Sequence, residues 1–359
     1  MSRKQNPVTL ARVYAGLTQS DLAVKIGRKQ SNVARMESGE EDYSALSREL
    51  WLASGFPESF FRSKTEWKTT DGMISFRKRS RCPAHIRNRA DFYVTLAHSA
   101  IAPMIGDYIK YPDPDIPSVP MTAVQGDIRS ARMAGAEVAR VVRDRWGIGW
   151  GPIGDVVRVA ESFGVRVFFV KEYAEHLDGF AAWVDDTPYI FLNQHVSDPA
   201  RLRMDFCHEL GHIVMHRYCE MDAQTDLYEG MAFGFAAEFL APWAVLRREV
   251  SPMPDLRMLG TLRKRWKISM QGLVMHMHAN GAISDAVYAN LFKKFAVLGY
   301  RRGPEPGWFT PDGSIIHSKF LEVLARNGLS ISNLADSRGL PEHIIADMIP
   351  ASVMPNAFV

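Results

Sequence analysis

Apolar residues along this chain recur mostly at helical spacing, and between residues 165 and 192 they gather into short aromatic and β-branched runs. Near the start the pattern predicts three short helices divided by tight turns. Val8 to Ala15 is ended by Gly16, the capping-box sequence Thr18-Gln-Ser-Asp21 opens a second through Ile26, and Gln30 to Glu37 is stopped by Gly39. A helical segment is expected near Asp91 to Ile105, followed by the proline-rich stretch Tyr111 to Pro117, which reads as a linker or exposed loop. Further on, Ser130 to Trp146 and Gly151 to Phe163 predict helices. Val165 to Val170, Gly179 to Val184 and Tyr189 to Leu192 predict strands, the last two joined at Asp185 to Pro188. The tail from His317, with Phe320, Leu321, Leu324 and the run Leu329 to Ile349, predicts a small helical cap that serves as an interaction module. The expected class is α+β, with an all-α N-terminal part, a small antiparallel sheet and helices after it.

The helix expected behind the last strand carries the chemistry. Within Arg203 to His216 lies His208-Glu-Leu-Gly-His212, an H-E-x-x-H spacing. On a helix His208 and His212 fall one turn apart on one face, so two imidazoles can bind one metal ion while Glu209 borders the open coordination position. Ser197 is the expected cap, Asp198 and Pro199 suit the first turn, and Leu202, Phe206, Leu210 and Ile213 supply an apolar face. Catalytic zinc normally takes three protein ligands and keeps one position for water. Glu220, Asp222, Asp226, Glu229 and Glu238 are the downstream carboxylates that could complete the set, and spacing does not choose among them. Cys207 points about 100° around the helix from His208, away from such a metal. His216 continues the row of histidines and is expected to support a ligand or to pack. Gly211 costs about 1 kcal/mol relative to Ala in a helix interior, which suggests close packing or a metal site where the side chain is missing.

Composition narrows the setting. The chain has 359 residues, enough for two or three domains, with 47% apolar and 23% charged residues and a formal net charge of +3. It holds no apolar run of membrane-spanning length and no signal-peptide core, so a cytoplasmic protein with no membrane partner is expected. Cys82, Cys207 and Cys219 are too few and too scattered for a disulfide framework. The near-neutral total hides a basic run from Arg62 to Arg89 that includes Arg77, Lys78, Arg79 and Arg81 and reads as a solvated face or linker.

The three short N-terminal helices have helix-turn-helix spacing. Gln30, Ser31, Asn32 and Arg35 would face a major groove, with Arg28 and Lys29 on phosphate. Gly16-Leu-Thr-Gln-Ser-Asp-Leu-Ala23 followed by Gln30-Ser-Asn-Val-Ala-Arg-Met-Glu-Ser-Gly39 resembles the XRE family of helix-turn-helix repressors over about the first fifty-five residues. The resemblance implies double-stranded DNA as a partner. Such bundles also serve as dimerisation or protein-docking modules.

A second resemblance covers about residues 140 to 306. Trp146-Gly-Ile-Gly-Trp-Gly-Pro-Ile153, Asp178-Gly-Phe-Ala-Ala-Trp183, His208-Glu-Leu-Gly-His-Ile-Val-Met-His216, Phe235-Ala-Ala-Glu-Phe-Leu-Ala-Pro242 and Trp266-Lys-Ile-Ser-Met-Gln-Gly-Leu273 stand in the order of the ImmA/IrrE zinc metallopeptidases. This resemblance implies a zincin-like domain at 121–306, between a helix-turn-helix domain at 1–60 with a basic and Pro-rich connecting region at 61–120 and a helical module at 307–359. It implies a Zn2+ cofactor, Glu229 as the third ligand six residues before Phe235, and Glu209 as general base. Relatives also place a Glu four residues before that Phe, where this chain has Met231, and a ligand belonging there would leave the site without its third group. Glu238 is expected on the helix surface or behind the ligands. Relatives often carry an Arg where this chain has His276, so His276, His278 or Tyr288 are the candidate donors to an oxyanion. The implied function is a zinc endopeptidase fused to a DNA-binding domain, acting on a helix-turn-helix repressor or antitoxin in a stress, phage or toxin-antitoxin circuit. The alternative is a DNA-binding regulator whose peptidase-like domain is a non-catalytic sensor or scaffold, and either could form a homo-oligomer.

Overall fold

Three short helices open the chain, each starting where a side chain replaces a missing intrahelical partner. They are α1 (Pro7–Tyr14), α2 (Gln19–Lys25) and α3 (Gln30–Ser38). Asn6 accepts from the Val8 amide at 2.8 Å, and Thr18 and Asp21 form a reciprocal capping box. Gly39 ends α3 at φ 82°, a conformation open to glycine. After α4 (Ser47–Ser54) and α5 (Glu58–Arg62), the two-residue strands β1 (Arg3–Lys4) and β2 (Lys68–Thr69) pair antiparallel. The computed structural model describes residues 3–70, 83–117, 119, 126–171, 178–194, 198–217, 225–301 and 303–350. Arg77, Lys78, Arg79, Arg81 and Cys82 lie outside the described residues.

The middle of the chain holds more than a connector. Helix α6 (Ala84–Leu96) runs through a π-helical turn at Ala97–Ile101 into α7 (Ala102–Gly106), and Ile86, Val94, Leu96, Ile101 and Ile105 are fully buried. The proline-rich stretch after it is exposed yet tied down. The Asp115 amide donates to the Phe163 carbonyl at 3.0 Å, and a Cβ on Gly164 would lie 2.5 Å from Pro114 Cα. Gly164, at φ 84°, suits that spot for both reasons.

Helices α8 (Ile128–Arg145) and α9 (Val156–Ser162) lead to the sheet strands β3 (Arg166–Val170), β4 (Gly179–Val184) and β5 (Thr187–Asn193). The sheet order is β3-β5-β4, with β5 parallel to β3 and antiparallel to β4. The sheet is thus mixed, not the antiparallel sheet the sequence predicts. Asp185, at φ 51°, reverses the chain between β4 and β5, and β5 then enters between β4 and β3 in the direction of β3. Both faces are covered. Phe168, Phe180, Tyr189 and Phe191 face one hydrophobic core, and Val167, Phe169, Ala181, Ile190 and Leu192 face the other. Burial on both sides explains why the strands read as continuous apolar runs.

The second face packs on α10 (Pro199–Met215), α11 (Thr225–Leu240), α12 (Trp243–Leu246), α13 (Leu256–Trp266), α14 (Met270–Ala279) and α15 (Asp285–Val297), together with α8 and α9. The first face is shared between the N-terminal helices, α6, α7 and the C-terminal α16 (Ile315–Arg326), α17 (Ile331–Arg338) and α18 (Glu342–Met348). Tyr14 on α1 meets His343 on α18 at 2.8 Å, and a Cβ on Gly339 would lie 3.0 Å from the Phe60 amide. The two cores are joined by reciprocal helix capping. Asp312 accepts from the Val156 amide at the start of α9 and pairs with buried Arg203, while Glu161 on α9 accepts from Ser314 and the Ile315 amide at the start of α16. Among the described residues no helix is long and apolar enough to cross a membrane.

Candidate metal centre

The helix carrying His208 and His212 is held from both ends and both sides. Its cap is Asp198, which accepts from the Ala200 amide at 2.8 Å, with Pro199 at the first helical position. The expected cap, Ser197, lies outside the described residues, and Asp198 fills the role because its side chain also receives Arg263 at 2.9 and 3.0 Å. On one side α10 packs against β4, and on the other α11 crosses it closely. A Cβ on Gly211 would stand 3.1 Å from the Phe235 ring and 3.3 Å from Ala232 Cα, so the missing side chain admits α11. Gly234 does the same on the next contact, since a Cβ there would lie 2.0 Å from the Arg132 carbonyl oxygen of α8. This packing carries Glu229 to the histidines.

Three donor groups converge at that crossing. Nε2 of His208 and Nε2 of His212 are 3.2 Å apart, and the Glu229 oxygens stand 3.4 Å from the first and 3.5 Å from the second. Among the described residues this is the group of His, Cys, Asp and Glu side chains able to hold a metal ion. At ligand bonds of about 2.0–2.1 Å, a tetrahedral ion spaces its ligand atoms about 3.3 Å apart, so the three distances fit one face of such a site. The Glu229 oxygens are buried and find no hydrogen-bond donor within bonding distance, which an ion at the convergence point would remedy. Burial alone would raise the Glu229 carboxyl, yet the two facing imidazoles pull it down to about 2, so the group stands ready as an anion.

Glu209 shares the helix with both histidines and is 2% exposed. Its Cγ lies 3.4 Å from where a Cβ on Gly179, the first residue of β4, would stand, which places Glu209 against the start of that strand. The Phe233 ring lies tilted against His208 with centroids 4.5 Å apart, and Trp183 Nε1 donates to the Ile213 carbonyl at 3.1 Å. Gly179 and Trp183 stand in the Asp178-Gly-Phe-Ala-Ala-Trp183 segment, whose place in the family order is the one signal in the sequence that points to them, and nothing in the sequence marks Phe233.

Residues 160–277 match the family model described as the IrrE N-terminal-like domain. The matched stretch spans the sheet, α10 and α11, and marks this part of the chain as metallopeptidase-like. No curated protein matches the chain.

The IrrE-like domain sorts the other candidates by distance. Met231 sits two residues from Glu229, about 200° around the helix, and is fully buried on the side away from the histidines, so its identity does not touch the donor set. Glu238 lies nine residues beyond Glu229, roughly 13 Å along α11. It is neither on the helix surface nor directly behind the ligands, the two places expected for it, but 1% exposed, receiving Arg140 at 2.8 Å and the Trp243 amide at 3.1 Å. Asp226 is exposed, and Glu220, Asp222 and Cys219 lie outside the described residues. Cys207 is buried in the core facing away, its thiol pushed up by desolvation.

The candidate oxyanion donors have partners outside the donor set. His276 bonds the Ala241 carbonyl at 2.9 Å, just past the end of α11, twelve residues on from Glu229. That bond uses the N–H of the neutral ring, and burial holds His276 below the usual histidine range. His278 bonds Asp285 at 2.7 Å, and Tyr288 packs between His278 and Phe292.

On the N-terminal helices Arg28, Lys29, Gln30, Ser31 and Arg35 are exposed and Asn32 is half-buried. Arg35 is paired with Glu41 at 2.7 Å, the same carboxylate receives the Asn32 amide at 3.2 Å, and Gln30 donates to Gln19 at 2.6 Å.

Proposed function

We propose that this chain is a zinc-dependent endopeptidase whose substrate is a protein, with His208, His212 and Glu229 holding the ion and Glu209 serving as general base. The convergence of the two Nε2 atoms and the Glu229 carboxylate carries the reading. A zinc ion bound there supplies a polarised water of pKa about 7 and a Lewis acid for the scissile carbonyl. Glu209 takes the proton of the attacking water and returns it to the leaving amine, a role that needs a carboxylate next to the ligands. The resemblance to the ImmA/IrrE metallopeptidases supports a repressor-type protein or antitoxin as substrate, and the resemblance of the first fifty-five residues to helix-turn-helix repressors, with the exposed face of α3, supports DNA as a further partner.

A second reading, a regulator whose peptidase-like domain senses without turnover, is favoured by the depth of the site. His208, Glu209 and His212 are each 2–3% exposed, which limits access for a peptide. Metal analysis of the purified chain, with co-expression beside the products of neighbouring genes, separates the two. About one zinc per chain and a discrete cleavage product support the peptidase. Zinc without cleavage of any of them supports the sensor, and a metal-free chain contradicts both.

A further inference from the structure

His216 stands one turn beyond His212, at the C-cap of α10, and its backbone amide donates to the His212 carbonyl at 3.0 Å. Its Nδ1 lies 2.8 Å from Nδ1 of His212. The other edge of the His212 ring, with Nε2, faces His208 and Glu229. His216 is therefore behind a ligand and cannot be one for the same ion. Its ring rests on Tyr228, with centroids 4.7 Å apart, and Tyr228 directly precedes Glu229 on α11.

The tautomers follow from proton counting. Two Nδ1 atoms in contact share one hydrogen, so one ring donates and the other accepts. A His212 whose Nε2 lone pair points at an ion must carry its hydrogen on Nδ1. His216 Nδ1 is then the acceptor, and the hydrogen of its own neutral ring sits on Nε2. That atom is buried and has no hydrogen-bond partner among the described residues.

We infer that His216 is a positioning residue of the metal centre, accepting the Nδ1–H of His212 and so fixing that ligand's tautomer and ring orientation. The inference rests on the zinc reading. Ligand histidines commonly give their second N–H to a carboxylate, a backbone carbonyl or water, and a neutral imidazole does the same work without adding negative charge. Contact with Tyr228 lets one ring steady both ligand-bearing helices.

The test is competition for Zn2+ against a chromophoric chelator, using the full chain with His216→Phe and His216→Asn, and thermal unfolding of each metal-free protein. Phe keeps a ring but offers no acceptor, whereas the Asn Oδ1 takes the place of Nδ1. The expected result is about 10–100-fold weaker zinc binding for His216→Phe, with most of the loss recovered in His216→Asn. Unchanged affinity in His216→Phe, or equal losses in both variants, overturns the inference. Should the Phe variant fail to fold, long-range 1H–15N spectra of the zinc-loaded wild-type chain read the tautomers directly. A hydrogen on His212 Nδ1 and on His216 Nε2 is expected, and one on His216 Nδ1 overturns the inference. A wild-type chain that takes up no zinc defeats the zinc reading itself, while tight zinc binding in His216→Phe defeats this inference alone.

Discussion

A Cβ built on Gly135 of α8 would lie 1.9 Å from the carbonyl oxygen of Met231 on α11, two residues from Glu229. The helices meet backbone to backbone, and no flexible side chain stands between them to give way. Gly135→Ala should therefore push α11 off α8. Overpacking typically costs 1–3 kcal/mol, against a helix-propensity gain of about 1 kcal/mol. A net loss of about 1 kcal/mol in urea unfolding is expected, with weaker zinc binding as Glu229 moves. A more stable variant with unchanged zinc affinity would show that the crossing is looser than the structure has it.

Glu229→Ala and His212→Ala should each strip the bound zinc, read by elemental analysis of the purified proteins. Glu238→Ala should keep the metal. It should instead lower stability, because Arg140 and the Trp243 amide lose the buried carboxylate they share. Metal loss in Glu238→Ala with retention in Glu229→Ala would reverse the ligand assignment.

Glu209→Gln should hold zinc with near wild-type affinity and lose proteolysis by 100-fold or more, on the order expected for removing a general base. The amide fills the same space beside Gly179 but does not accept a proton. Cleavage at the normal rate in this variant would take Glu209 out of the reaction.

Glu161 gives a pH signature. Burial raises its carboxyl from 4.5 to about 7, although Ser314 and the α16 amides oppose the shift. A raised folded value means that stability from this group is complete below pH 4.5 and falls as pH rises through 7. The gap in stability between wild type and Glu161→Gln should narrow in wild type's disfavour from pH 4.5 to 7 and stay constant above. Urea midpoints at three or four pH values measure it, and parallel curves for the two proteins would remove Glu161 as the source.

If the N-terminal helices read DNA as proposed, Arg35→Ala should weaken binding to a specific DNA site by about 1–3 kcal/mol. Lys29→Ala should weaken all sequences alike and flatten the salt dependence. Gel shifts across a salt series report both. A chain with no sequence preference, whose first sixty residues bind the protease's substrate instead, would make this a docking module.

The reach of the sequence can be read residue by residue. His208, Glu209 and His212 were legible because helical spacing alone puts the ligands on one face. Glu229 stood out only through the family resemblance, because spacing left five carboxylates open: its approach depends on how α11 crosses α10, which Gly211, Gly234 and Gly135 decide through the absence of side chains. The mixed sheet was hidden for a different reason. With both faces buried, β3 to β5 lack the polar alternation that would mark a face, and strand order depends on where β5 inserts. His276 looked like a site residue because its neighbours in sequence resemble those of the family, yet its ring bonds the Ala241 carbonyl just past the C-terminal end of α11.

The contact between Tyr14 and His343 bears on how the molecule comes into being. During synthesis the first sixty residues leave the ribosome long before α18, so the apolar surfaces that Gly339 and α18 later cover stay open to water for most of translation. Such widely separated contacts close late and slow the final step of folding. A chain released before residue 339 would lack the cover that α18 gives to Tyr14 and to β3.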